Sequence, residues 1–342
     1  MEAVKEFNSR SVGKTDLQIT ELGLGGAGTG NLYMEISDEQ AEQTIKDAWK
    51  AGVRYFDTAP YYGYGLAEQR LGNALKEFSR SSYVISTKAG RVLKSDTTPI
   101  LNDPFVNGLP FRPHFDYSYD GVMRSFEESL QRMQVDYIDI LFIHDIGQMQ
   151  HGSEHEEFFK IMIDGGCRAL DDLRSQKAIR AIGLGVNEYE VCMEVMPHTD
   201  MDCFMLAGRY TLLEQGALQD FLPECARRQI SVMAAGPYNS GILATGPTEG
   251  SNYNYKPADK TILARVHAIQ KICEEFSVLL PQAAINFPIL HPQVAAVVVG
   301  AHSSAQILMT KDYLKKSIPQ EFWQALKKEG LLASNAPVSL AK

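Results

Sequence analysis

Cysteine is scarce in this 342-residue chain: Cys167, Cys192, Cys203, Cys225 and Cys273 are odd in number, scattered, and never paired as Cys-x-x-Cys. The pattern excludes a disulfide framework and a thiolate zinc site, and predicts reduced thiols in a cytoplasmic protein. Positive charge is short as well. Lysine and arginine total 33 against 42 acidic residues, a formal net charge of −9, and no basic stripe offsets it. Nucleic acid and anionic membrane surfaces are therefore not expected partners. No window of about 18 apolar residues occurs, so no membrane span is expected, and the start, Met1 to Glu6, lacks a basic segment leading into an apolar run. With 44% hydrophobic and 22% charged residues the composition is that of a globular enzyme. Chemistry on a small molecule is the expectation that remains.

What is present is alternation. Arg10 to Ile19 reads as a hairpin around Gly13, and Leu22-Gly23-Leu24-Gly25 as a first strand. Gly23 to Gly28 spells Gly-x-Gly-x-x-Gly, but a dinucleotide fingerprint must open a helix, and Thr29 to Tyr33 is loop-like. These glycines, Gly26 among them, read instead as a strand end that cofactor and substrate approach closely. A capped helix from Ser37 to Gly52 follows, then a strand Val53–Phe56, a helix from Gly65 to Phe78, and a strand Tyr83–Thr87. Residues 90–119 show no helical period, and so long a connection predicts a loop that overhangs the site and shapes the substrate. Beyond it come a helix 120–134, a strand 137–143, a long helix 156–179 broken at Gly165-Gly166, and strands 181–186, 203–210 and 230–235 with a helix 216–229. A helix 261–276, a strand 295–299 and helices 303–316 and 319–332 complete the series. Eight alternations without a linker predict an α/β fold, a (β/α)8 TIM barrel in a single domain spanning 1–342. Its parts are an N-terminal hairpin at about 7–20, a barrel at about 21–317, and an extra C-terminal helix with a tail at 318–342.

One motif competes with this reading. His151-Gly-Ser-Glu-His155 has the spelling of some zinc peptidases, but Gly152 and Ser153 interrupt the helix that metal ligation needs. The segment reads as a loop flank with exposed histidines, and no metal site is expected.

Three apolar strands end in ionisable residues: one in Asp57, with Tyr62 five residues on across Pro60, one in Lys88, and one in His144-Asp145. In a parallel barrel those ends open on one mouth, where chemistry is carried out. Asp57, Tyr62, Lys88 and His144, in this order and these contexts, resemble the catalytic tetrad of the aldo-keto reductase superfamily. The resemblance runs from the first strand to the Gly300 region and implies hydride transfer with a nicotinamide cofactor. Tyr62 would be the acid/base, Lys88 would lower its pKa from the free value of about 10, Asp57 would hold Lys88, and His144 would orient the substrate oxygen. The hairpin would cover the barrel floor. For the cofactor it implies Gly26 and Asp57, Asn187 for the carboxamide, and the loop Gly236, Pro237, Tyr238, Asn239, Ser240, Gly241 with Leu243 for the pyrophosphate. Gly300, His302, Ser303, Gln306 and Thr310 would hold the adenosine end.

The chain departs from that pattern. Val186 replaces the usual Ser before Asn187, Ala207 a Gln, and Ala235 the Tyr that stacks on the nicotinamide. His302 and Gln306 stand where a Lys or Arg commonly meets the 2′-phosphate, so NAD is expected, with NADP the alternative. Together with Leu206 to Gln215, these departures resemble the subgroup that oxidises free sugars and similar hemiacetals. The expected reaction takes an aldose of L-fucose, L-galactose or D-arabinose type to a lactone. Pyridoxal oxidation and NADPH-dependent carbonyl reduction are the alternatives, and a nucleotide-binding regulatory subunit a remote one. Oligomeric state is left open.

Overall fold

The computed structural model describes residues 7–98, 100, 103–248 and 250–339. Its first strands, β1 (Ser9–Ser11) and β2 (Gln18–Thr20), form an antiparallel hairpin. Eight further strands are short because each need only cross a barrel wall: β3 (Leu22–Gly25), β4 (Tyr55–Asp57), β5 (Val84–Ala89), and, beyond a second hairpin of β6 (Arg91–Ser95) and β7 (Phe111–Phe115), β8 (Ile140–His144), β9 (Ala181–Val186), β10 (Cys203–Ala207) and β11 (Ser231–Ala235). A third small hairpin, β12 (Asn252–Tyr253) with β13 (Lys256–Pro257), precedes the last barrel strand, β14 (Val294–Gly300). Pairing runs β10–β11–β14–β3–β4–β5–β8–β9 and closes on itself, parallel throughout. This is the (β/α)8 barrel the alternation predicts.

Burial on both faces explains the strand compositions. Val294-Ala-Ala-Val-Val-Val299 is buried throughout, as an apolar run without alternation requires. One set of side chains, including Tyr55, Val84, Phe142, Met205, Met233 and Val298, fills the barrel interior. Val12, Leu17 and Ile19 of the first hairpin join that cluster, so the hairpin plugs the end opposite the carboxyl ends of the strands. A second, larger set packs the outer strand faces against the surrounding helices.

The sequence left some elements unread. Leu280–Ile289 is a helix with Pro281 in its first turn and Pro288 inside it, buried on most sides. It therefore shows no amphipathic stripe, and its prolines resemble loop punctuation. Glu190–Val195 is also helical but too short to carry a period. The break expected at Gly165-Gly166 is a π-helical turn, Met162–Gly166. There a Cβ on Gly166 would fall 2.6 Å from the Tyr117 carbonyl oxygen. The expected strand 203–210 stops at Ala207, and the last helix is Gln320–Lys328. Among the described residues no helix is long and apolar enough to cross a membrane.

The stretch 90–119 is the main correction to the element assignments. It contains the five-residue antiparallel pair β6–β7, which the intervening residues conceal, since ordinary hairpin loops have only a few. Within it, Pro104 and Val106 are stitched to the loop after β3. Tyr33 N–H donates to the Pro104 carbonyl (2.8 Å), and Asn31 Nδ2 to the Val106 carbonyl (2.9 Å). Phe105 is thereby buried with Tyr64 and Leu93, against Tyr61, Tyr62 and Phe111.

Candidate active site

Asp57, Lys88 and His144 end or nearly end β4, β5 and β8, which are neighbours in the barrel. Register brings their side chains to the same mouth: Asp57 lies opposite Ser86, and Lys88 opposite Phe142. Lys88 Nζ donates to Asp57 Oδ2 (2.7 Å) and to the Thr58 carbonyl (2.9 Å), and Ser86 Oγ donates to Asp57 Oδ1 (2.7 Å). Asp57 and Lys88 are only 3% and 2% exposed. A buried pair survives when its remaining donors and acceptors are met, and here they are.

Tyr62 reaches this pair through a forced turn. Gly63 (φ +61°), Tyr64 (φ +58°) and Gly65 (φ +100°) are consecutively left-handed, and a Cβ on Gly63 would collide with the Gly30 carbonyl oxygen at 2.5 Å. The Lys88 ammonium lies 4.7 Å from the centre of the Tyr62 ring. Burial pulls the Lys88 pKa down, but Asp57 and Tyr62 outweigh it and hold the ammonium above its usual value. For Tyr62 the expectation needs correcting. Burial raises the phenol and is the larger effect, with Lys88 opposing it, so the net displacement is upward. The ammonium limits the rise and does not reverse it.

His144 stands edge-on to Tyr61 and Tyr62, ring centres 6.1 and 5.9 Å away. Burial, then the positive charges of Arg91 and Lys88, push its pKa well below the ordinary value, so the ring is neutral and has one N–H to offer. Its Nδ1 is buried without a partner. Two groups missed by sequence reasoning, Arg91 and Asp145, complete this wall. Arg91, at the start of β6, donates from Nη2 to Asp145 Oδ2 (2.6 Å) and lies over the Tyr61 ring (4.2 Å). Asp145 Oδ1 accepts from Asn187 Nδ2 (3.0 Å). Nothing in sequence spacing joins residues so far apart. The left-handed backbone of Asp145 (φ +45°) is also invisible there.

On the other side, Ala207 and Ala235 pair in register at the ends of β10 and β11, whereas Val186 pairs with Leu206 and packs outward in the larger cluster, so two of the three departures adjoin at the mouth. The loop after β11 runs left-handed at Gly236, Asn239, Ser240 and Gly241. Among the described residues, the Tyr238 and Ser240 backbone N–H groups have no acceptor, and Asn239 Oδ1 is buried without a donor. Two free amides beside a bare strand end fit a pyrophosphate. Pro237 has no N–H to give, and Leu243 is fully buried with its N–H bonded to the Tyr238 carbonyl, so neither offers a donor. Gly26 N–H donates to the Asp57 carbonyl, and a Cβ there would press on Asp57 and Thr58 at 3.0 Å. Its glycine requirement is thus met by strand packing alone.

At the adenosine end, Gly300 ends β14 and Ser303 precedes the helix Ser304–Lys315 without capping it. His302 N–H donates to Gln306 Oε1 (2.7 Å), His302 Nε2 bonds the Leu32 carbonyl (2.8 Å), and Thr310 Oγ1 lies 3.3 Å from the Tyr238 hydroxyl. The two histidines expected to be exposed are buried. His151 packs on Phe115 and Phe158 and bonds the Tyr117 hydroxyl (2.9 Å), while His155 bonds Glu194 (2.9 Å) and the Ile146 carbonyl. Among the described residues no three potential ligands gather to hold a metal.

A barrel with this mouth defines a class, and the chain matches the Aldo/keto reductase family over residues 21–329; it belongs to that family, whose members are nicotinamide-dependent oxidoreductases. It is 41% identical over 341 residues to the pyridoxal 4-dehydrogenase of Microbacterium luteolum (96% of this chain, 99% of that one). It is 36% identical over 322 residues to the D-threo-aldose 1-dehydrogenase of a Pseudomonas species (92% and 95%). In fold it resembles the holo form of the aldo-keto reductase AKR11C1 from Bacillus halodurans, with TM-score 0.75 at 24% identity over 96% and 98% of the chains.

Proposed function

We propose that the protein oxidises the hemiacetal hydroxyl of a small cyclic substrate to a lactone, with NAD as hydride acceptor. The observation that carries this is the buried Asp57–Lys88 pair beneath the Tyr62 ring beside a neutral His144. A nicotinamide bound here would supply hydride acceptance at the anomeric carbon, which leaves the protein to manage the proton. The Tyr62 oxygen takes the hydroxyl proton as the carbonyl forms. Lys88 stabilises the phenolate this requires, Asp57 keeps the ammonium in place, and His144 donates its single N–H to the substrate oxygen. Asn187 would hold the carboxamide, and the amides of Tyr238 and Ser240 would hold the pyrophosphate. With His302 and Gln306 bonded to each other and to Leu32, neither offers a fixed cation to a 2′-phosphate, which supports NAD over NADP.

Two substrate classes fit the reaction. A free aldose of L-fucose, L-galactose or D-arabinose type is the first. The hemiacetal of pyridoxal is the second, favoured by a specific observation: Tyr61 and Tyr62, backed by Phe105, make an aromatic wall beside His144, suited to a flat heteroaromatic ring. The relative at 41% identity carries the same substrate in its name. The test is reduced-nicotinamide absorbance with NAD or NADP against L-fucose, L-galactose, D-arabinose and pyridoxal. Turnover of any hemiacetal with NAD supports the proposal, and the preferred one ranks the classes. Reduction of open-chain carbonyls with NADPH and no hemiacetal oxidation would overturn it.

A further inference from the structure

Asp145 follows His144 directly, yet its backbone turns left-handed (φ +45°), a conformation that costs energy in a residue with a Cβ. The turn throws the carboxylate sideways between Arg91 and Asn187, with His144 Nε2 3.5 Å from Oδ2. Oδ2 takes the Arg91 guanidinium at 2.6 Å and Oδ1 takes Asn187 Nδ2 at 3.0 Å. Arg91 is itself held. It is 5% exposed, bonds Gln150 Oε1 at 3.1 Å with the same nitrogen, and lies between the rings of Tyr61 and Phe115, 4.2 and 5.3 Å away.

A carboxylate can only accept. Asn187 must therefore turn its amino group to Asp145, and its carbonyl Oδ1 is left on the other side. The Tyr255 hydroxyl, from the hairpin β12–β13 region, donates to that Oδ1 from 3.5 Å, which marks the free side as the one a hydrogen-bond donor approaches.

We propose that Asp145 is a positioning residue for the cofactor's nicotinamide: clamped by Arg91, it locks the Asn187 amide so that Oδ1 accepts from the carboxamide N–H. The inference rests on the reading of Asn187 as the carboxamide ligand and deepens it by naming what orients that ligand. Arg91 belongs to the β6–β7 hairpin, so the clamp ties the segment overhanging the substrate to the cofactor's reactive end.

Asp145→Asn separates this from a structural role. Asparagine has one acceptor oxygen where aspartate has two, and the buried guanidinium is the stronger claimant. Asn187 then meets an amino group, rotates to present Oδ1 to it, and turns its own Nδ2 to the cofactor. Binding is read by NADH fluorescence titration and, in parallel, by calorimetric titration with ADP-ribose, which lacks the nicotinamide. In Asp145→Asn and in Asn187→Ala, the NADH Kd should rise about fivefold or more, the loss of one buried hydrogen bond. ADP-ribose binding should be unchanged, which also shows that the variants are folded. The double variant should bind NADH no more weakly than Asn187→Ala alone.

Equal weakening of both ligands, unchanged NADH affinity in Asp145→Asn, or additive losses in the double variant would each overturn the proposal. So would wild-type protein binding NADH no tighter than ADP-ribose. Because substrate is absent from every titration, these outcomes are independent of whether a hemiacetal is the substrate.

Discussion

The two halves of the barrel mouth are built on different principles. From β4 to β8 the mouth is a ladder of buried polar side chains joined to their neighbours: Ser86 to Asp57, Asp57 to Lys88, Lys88 beneath Tyr62. From β9 to β14 it is small residues and bare backbone: Ala207, Ala235, then a left-handed loop with unpaired amides. Side-chain chemistry tolerates almost no substitution, because the charge must sit where the proton moves. Backbone amides serve whatever side chains they carry. The first half should therefore break sharply under mutation and the second shift gradually.

The largest break is expected at Tyr62→Phe. If Tyr62 moves the proton as proposed, losing its hydroxyl should lower kcat about 1000-fold, while NADH affinity stays within about twofold, since the ring and its packing remain. A variant that binds NADH normally and still turns over at a tenth of the wild-type rate would remove Tyr62 from its role.

Next is Lys88→Met. Without the ammonium the phenol rises further, and kcat should fall about 100-fold. Asp57, 3% exposed, is left as an uncompensated buried charge, a loss of about 3–5 kcal/mol of stability. With no cation beside it, its folded pKa lies above the unfolded value, so folding is favoured as the pH falls and the carboxylate takes up a proton. The melting temperature of Lys88→Met, relative to wild type, should accordingly recover between neutral pH and about pH 4. A deficit that grows toward acid would contradict the assignment.

Acid–base behaviour gives a third, graded effect. Burial raises Tyr62 against the pull of Lys88, so the basic form is scarce at neutral pH and increases about tenfold per pH unit below its pKa. Oxidation should climb with that slope and not level off below about pH 10, the free phenol value. His144, neutral and displaced well below its ordinary value, should add no inflection between about pH 6 and 8. A plateau from neutrality would assign the proton to another group.

The same contrast governs what could be read in advance. Asp57, Lys88 and His144 were legible because each ends an apolar run, and barrel geometry sends every such end to one mouth. The eight strands were legible for the same reason, period and punctuation being local. Arg91 was not: it opens a hairpin whose partner strand lies beyond a long connection, and its carboxylate partner stands after a different barrel strand. The helix Leu280–Ile289 was lost because burial on most sides erases amphipathicity, and its prolines spell a loop. Histidines 151 and 155 looked exposed because Gly152 and Ser153 separate them. It is Phe115 and Phe158, from distant segments, that bury His151. What sequence misses here is contact between elements, and the missed contacts, Arg91 with Asp145 and His151 with Phe115, gather on the side-chain half of the mouth beside the β6–β7 hairpin.

The smallest effect should come from that half, at Gln306→Arg. Gln306 lies in the first turn of the helix Ser304–Lys315, and its side-chain oxygen accepts from the His302 N–H. Replacing it loses one partly exposed hydrogen bond and adds a guanidinium where a 2′-phosphate would sit. A charge-assisted pair of this kind, partly screened by water, contributes about 1 kcal/mol, so kcat/KM with NADP should rise about fivefold while that with NAD changes less than twofold. The groups proposed to handle the proton lie across the mouth, so kcat at saturation should be the same with either cofactor. A gain in NADP use accompanied by a loss of kcat would show that the two halves are coupled more tightly than their construction implies, and no gain would mean that the phosphate is bound elsewhere.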